Sequence, residues 1–152
     1  MNWDFISSTS SLTQMRLILQ RAIEIIPDAK GINNHMGSLI TRNTKIMTAF
    51  LNIVKDSDLF FIDSRTSEKS QAFQIAQALN IKSAQRYVFI DHIQEYKYTL
   101  NQINKLVNIA LRKGRAIGIG HPFKSTLRAI KDSIPHIRNK KVQIVFVSSF
   151  FK

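Results

Sequence analysis

The chain has 152 residues, no cysteine, 44% hydrophobic residues and a formal net charge of +12. That length fits one domain, the apolar content is far too high for a disordered chain, and the missing thiols exclude disulfides, thiolate catalysis and cysteine-ligated zinc. No apolar run approaches the ~20 residues a membrane helix needs, and the serine-rich residues 1–11 lack the basic-then-apolar pattern of an export signal.

Leu12, Met15, Leu19, Ala22, Ile23 and Ile26 recur at helical spacing, and Pro27 closes that stretch. A short strand at Gly31 and Ile32 leads into Asn33, Asn34 and His35. Ile46, Met47, Phe50, Leu51 and Val54 mark a second helix, and the unbroken apolar run 59–62 reads as a strand buried on both faces. Ala72, Ile75, Ala76 and Leu79 give a third helix, with Ser67 as its expected N-cap. Residues 87–90 form the next apolar strand. The longest helix runs from Ile93 through Val107 to Leu111, with Gly114 as its terminating residue. Residues 116–119 are a strand, Leu127, Ile130 and Ile134 a helix starting near Ser125, and 142–147 a last strand. Strands alternating with helices imply right-handed crossovers and a parallel α/β sheet or barrel. The expected organisation is a polar N-terminal tail, 1–11, and one α/β domain, 12–152.

The basic excess is concentrated in residues 112–152, where Asp132 is the single acid. Several of these cations fall where helices end and complement the helix dipole. With no basic run of five and no interleaved aromatics, a solvated basic surface is expected and nucleic-acid binding is not.

The polar residues that follow each strand carry the functional signal. They are Asn33, Asn34 and His35; Asp63, Ser64 and Arg65; Asp91 and His92; Gly120 and His121; and Ser148 and Ser149. Parallel strands end on a common rim, which is where active sites of such folds are built. Some of these residues have plain structural readings. Asp91 and Ser148 read as helix N-caps, His92 and His136 as surface histidines, Asn33 as a turn residue, and Asp63 with Arg65 as an ion pair open to either reading. His35 and His121 stand out, each directly after an apolar strand among Asn, Gly or Pro. Two imidazoles and a carboxylate could hold a divalent ion, and a histidine could protonate a leaving group. No G-x-S-x-G elbow, P-loop or G-x-G-x-x-G occurs.

The segments GINNHMGS (31–38), LFFIDSRTS (59–67), RYVFID (86–91), AIGIGHP (116–122) and VQIVFVSS (142–149) together resemble the divergent polysaccharide deacetylase family, a remote branch of the NodB-type carbohydrate deacetylases. The resemblance implies an incomplete NodB-like (β/α) barrel of about five βα units with parallel strands. It also implies metal-dependent hydrolysis of acetyl groups on a saccharide, with zinc as the expected divalent metal. Carried over, His35 is the metal residue, Asp63 and His121 are catalytic, and Asn33, Asn34 and Arg65 bind substrate.

Two family segments have no counterpart in the sequence: a strand ending in paired aspartates and a strand bearing His-x-Pro-Met. The expectation is therefore a truncated member with impaired activity and with barrel edges covered by an oligomer. The alternative is a non-catalytic α/β module that binds a glycan or a partner. Family resemblance implies the periplasm or cell envelope; the chain as written, without a signal, implies the cytoplasm.

Overall fold

The computed structural model of the chain describes residues 5–151; residues 1–4 of the expected N-terminal tail, and residue 152, lie outside them. The chain divides into two compact units, Met1–Gln85 with Phe151–Lys152, and Arg86–Phe150.

In the first unit, helix α1 (Leu12–Ile25) starts at a capping box: the Ser11 hydroxyl accepts from the Gln14 N–H, and the Gln14 side chain accepts from the Ser11 N–H. Strand β1 (Gly31–Asn33) follows, then α2 (Thr44–Lys55), capped by the Asn43 side chain at the Ile46 N–H. Next come β2 (Phe60–Asp63), α3 (Ala72–Ala78) and β3 (Ser83–Gln85). The sheet order is β1-β2-β3, with both pairings parallel, so that Ile32 lies opposite Phe61 and Ile62 opposite Ala84. Helices α1, α2 and α3 bury Met15, Leu19, Met47, Leu51, Val54, Ala72 and Ala76 with Phe61 in one cluster. Each of the larger side chains there contributes about 1.5–3 kcal/mol of burial.

The second unit holds β4 (Val88–Phe89), α4 (Tyr96–Lys113), β5 (Gly118–Ile119) and α5 (Lys124–Asn139). Strands β4 and β5 pair in parallel, and Val88, Ile90, Ile103, Val107, Ala129 and Ile137 form the core. Gly114 ends α4 in the left-handed conformation, φ 78°, where a side chain would be strained.

The alternation and the parallel strands stand as expected, and the differences are local. Ser67 does not cap α3, which begins five residues later behind Gln71; the Ser67 hydroxyl instead accepts from the Lys69 N–H in a preceding turn. Helix α4 starts at Tyr96, leaving Ile93 exposed before it. Residues 83–85 form a strand although none is apolar and β-branched, because pairing to the buried β2 decides the matter. Residues 142–146 belong to neither sheet. Val142 packs on the core, Ile144, Val145 and Phe146 are exposed, and a 3-10 turn (Val147–Phe151) follows in place of the expected strand end.

Candidate functional site

Two polar clusters form where strands end, one in each unit. In the first, β1 and β2 deliver Asn33, Asn34, Asp63, Ser64 and Arg65 side by side. The Asn33 amide donates to the Ser64 hydroxyl at 2.9 Å, and the Asn34 carbonyl oxygen accepts from the Ser64 N–H at 2.8 Å. Asp63 is buried, and its two oxygens take three donors. The Arg65 N–H meets Oδ1 at 2.8 Å; the Ser70 hydroxyl and the Phe73 N–H meet Oδ2 at 2.7 and 3.3 Å. The carboxylate thus ties the end of β2 to the first turn of α3. Arg65 follows in the left-handed region, φ 47°, a conformation that costs a non-glycine residue about 1 kcal/mol or more. Its guanidinium reaches the Gln85 side-chain oxygen at 3.0 Å and the Glu68 carbonyl at 3.3 Å. His35 is exposed in the loop after β1, next to Met36, which also has positive φ, 49°.

In the second unit, the Ile90 N–H bonds to the Ile119 carbonyl at 2.9 Å, extending the β4–β5 pairing one residue past β4, and Asp91 follows beside Gly120 and His121. Asp91 is buried. Its Oδ2 accepts from the His121 N–H and, at 3.0 Å, from the Thr126 hydroxyl, while Oδ1 lies 3.2 Å from His121 Nδ1. Gly120 is required here for close approach: a Cβ on it would lie 2.6 Å from Ile90 Cγ1 and 3.1 Å from Asp91 Oδ2. The imidazole also sits beside two aromatic rings, Phe89 at 5.5 Å and Phe123 at 5.1 Å between centroids, and the Arg86 guanidinium lies over Phe89. The His121 side chain is 38% exposed, whereas that of Asp91 is fully buried. A buried carboxylate on Nδ1 fixes the ring and directs Nε2 to act on a substrate, the arrangement used by histidine acids and bases.

Asp91 is the residue that reading the sequence missed. It carries the same signal as Asp63, a carboxylate directly after an apolar strand, but that pattern reads equally as a helix cap. Helix α4 begins too far downstream for that, at Tyr96, and Asp91 turns instead toward the loop before α5. Ser148 likewise lies inside the 3-10 turn rather than capping a helix. His92 and His136 are exposed, as expected.

The family model for divergent polysaccharide deacetylases matches residues 2–151. The chain belongs to this family. An uncharacterised protein of Haemophilus influenzae Rd is 32% identical over 142 residues, 93% of this chain and 50% of that protein. Uncharacterised protein YibQ of Escherichia coli K12 is 35% identical over 124 residues, 82% of this chain and 39% of that protein. The chain therefore spans half or less of the length of these curated relatives. The crystal structure of an uncharacterised protein from Agrobacterium tumefaciens C58 superposes with a TM-score of 0.76 and 24% identity, covering 79% of this chain and 49% of that one. That likeness shows a shared fold, and the parallel βα alternation together with the family match is consistent with a partial NodB-like (β/α) fold.

A catalytic divalent ion takes about three protein ligands. Among the described residues no three His, Asp or Glu side chains gather to hold one. Both Asp63 oxygens are committed to internal donors. The described residues do not by themselves fit the ion.

Proposed function

We propose that this divergent polysaccharide deacetylase acts on an acetylated saccharide, with His121 as the proton donor to the leaving group and Asp91 as the residue that holds it. The single observation supporting this is the Asp91–His121 contact at 3.2 Å, with the carboxylate buried and the imidazole reaching the surface. Hydrolysis adds water to the acetyl carbonyl, and the tetrahedral adduct then breaks its bond to the sugar nitrogen or oxygen. His121 Nε2–H gives its proton to that departing atom, so that an amine or alcohol leaves rather than an anion. The ring is the imidazolium before this transfer, its charge stabilised by the buried carboxylate on Nδ1; it is left neutral with its remaining proton on Nδ1, and the proton shed by the acetic acid formed restores it. Such positioned proton transfer is worth on the order of 10²–10⁴ in rate.

Within the first unit, taken by itself, Asn33, Asn34 and Arg65 are a separate proposal as saccharide-binding residues, with amide and guanidinium groups suited to sugar hydroxyls and carbonyls. Asp63, with its oxygens occupied, holds the loop on which Arg65 sits. A metal ligated by His35 is a separate proposal, and no step above depends on it.

The test is acetate release from acetylated chito-oligosaccharides and from O-acetylated sugars. Release by the native chain, reduced at least ~100-fold in His121→Ala and in Asp91→Asn, is the expected result. Saccharide binding with no acetate released makes the chain a glycan-binding module. Neither binding nor release removes the saccharide altogether.

A further inference from the structure

The Asp91 carboxylate is held by more than the histidine it faces. Its two oxygens are used differently. Oδ1 is directed to His121 Nδ1, whereas Oδ2 takes both the His121 main-chain N–H and the Thr126 hydroxyl. Thr126 lies in the first turn of α5 and is 2% exposed. A threonine in a first turn ordinarily turns its hydroxyl to water or to a nearby main-chain group. Here it is sealed from water, and its hydroxyl is given to a carboxylate 35 residues away in sequence.

From this geometry we infer that Thr126 is a positioning residue for His121, acting through Asp91. A carboxylate can swing about its Cβ–Cγ bond and exchange its two oxygens. With a single donor on Oδ2, either oxygen could face the imidazole, and the angle at Nδ1 would wander. Two donors on the same oxygen, one from the loop and one from the helix, remove that freedom. Oδ1 is then aimed at Nδ1, which fixes the proton there and leaves Nε2 as the nitrogen that meets substrate. The main-chain N–H alone could not do this, because it belongs to His121 itself and moves with it. Thr126 is anchored on α5 and ties the pair to a rigid element. Gly120 complements this, since a side chain there would crowd Asp91 Oδ2. The inference rests on the reading of His121 as the proton donor, but it is tested without substrate.

The experiment is ¹⁵N NMR of the histidine rings in the full chain, with Thr126→Val and Thr126→Ser. Valine keeps the shape and removes the hydroxyl; serine restores the hydroxyl. In the native chain the neutral His121 ring is expected to carry its proton on Nδ1, and the Thr126 hydroxyl proton is expected to be visible and protected from exchange. Thr126→Val should mix the two tautomers and speed exchange of the Nδ1 proton on the order of tenfold, the scale of a lost hydrogen bond to a charged group. Thr126→Ser should return both to near native. Native tautomer and exchange in Thr126→Val would overturn the inference, as would a Thr126→Ser variant as impaired as the valine. If the valine variant fails to fold, a rapidly exchanging Thr126 hydroxyl in the native chain overturns it just as directly. The expected signals in the native chain and both variants, with no acetate released, sink the deacetylase reading and keep this one.

Discussion

Asp63 takes three donors from inside the protein, and its removal leaves the Arg65 N–H, the Ser70 hydroxyl and the Phe73 N–H together without their acceptor. Unsatisfied buried donors are far more costly than the bond itself is favourable. Asp63→Ala is therefore expected to lower stability by about 2–4 kcal/mol, read from the denaturant midpoint at unchanged slope. A loss below half a kilocalorie would show that the loop re-forms its bonds with water. At Gly120 the constraint is space rather than charge. Gly120→Ala drives a methyl group into Ile90 and toward Asp91, and should cost about 1–3 kcal/mol while detaching the carboxylate from His121. An alanine variant with native stability and native histidine signals would refute the crowding. The two aspartates also mark what sequence reading can reach at this scale. Both stood out as carboxylates after apolar strands. Which one would meet a histidine depended on the neighbouring strand, 30 residues on, and no local spacing contains that information.

Among the elements, α4 and α5 are joined at the surface by a small polar group. Tyr96 donates its hydroxyl proton to Asp132 at 2.8 Å, while Arg128 lies over the Tyr96 ring and 3.7 Å from Asp132. The hydrogen bond to Asp132 raises the Tyr96 hydroxyl above its ordinary 10.0, with desolvation and the carboxylate charge adding and Arg128 opposing. Because the folded state favours the protonated phenol, its contribution is present below the ordinary tyrosine range and is lost as pH climbs past the raised midpoint. Asp132→Asn should bring the Tyr96 midpoint down toward that of a free tyrosine, as followed by ¹³C NMR of the ring. An unchanged midpoint would remove Asp132 as the cause. The helices were legible because a 3.6-residue apolar period is local, as in Met47, Leu51 and Val54. Strand limits were less so. Residues 83–85 pair because β2 lies beside them, and residues 142–147 stay unpaired in spite of their Val and Ile content. A short strand exists only through its neighbour, and the neighbour is distant in the chain.

At the scale of the whole molecule, parallel βα alternation and family membership agree, and the match extends over nearly all of this chain but half or less of its relatives. One consequence follows from the segment after α5. Ile144, Val145 and Phe146 lie outside both sheets, and all three meet solvent. Such a stretch, outside both sheets and rich in exposed β-branched and aromatic side chains, is a template on which identical chains can stack. The +12 charge holds molecules apart at low ionic strength, and added salt shortens the reach of that repulsion to about 10 Å at 0.1 M. Light scattering should therefore show salt-promoted association of the native chain, and Phe146→Lys should suppress it without altering the unfolding midpoint, since that ring is 86% exposed. Equal scattering from both would clear this segment of the role. The colloidal behaviour of the protein thus turns on a few uncovered aliphatic and aromatic groups, kept from one another by a like-charged surface that ordinary buffer can mask.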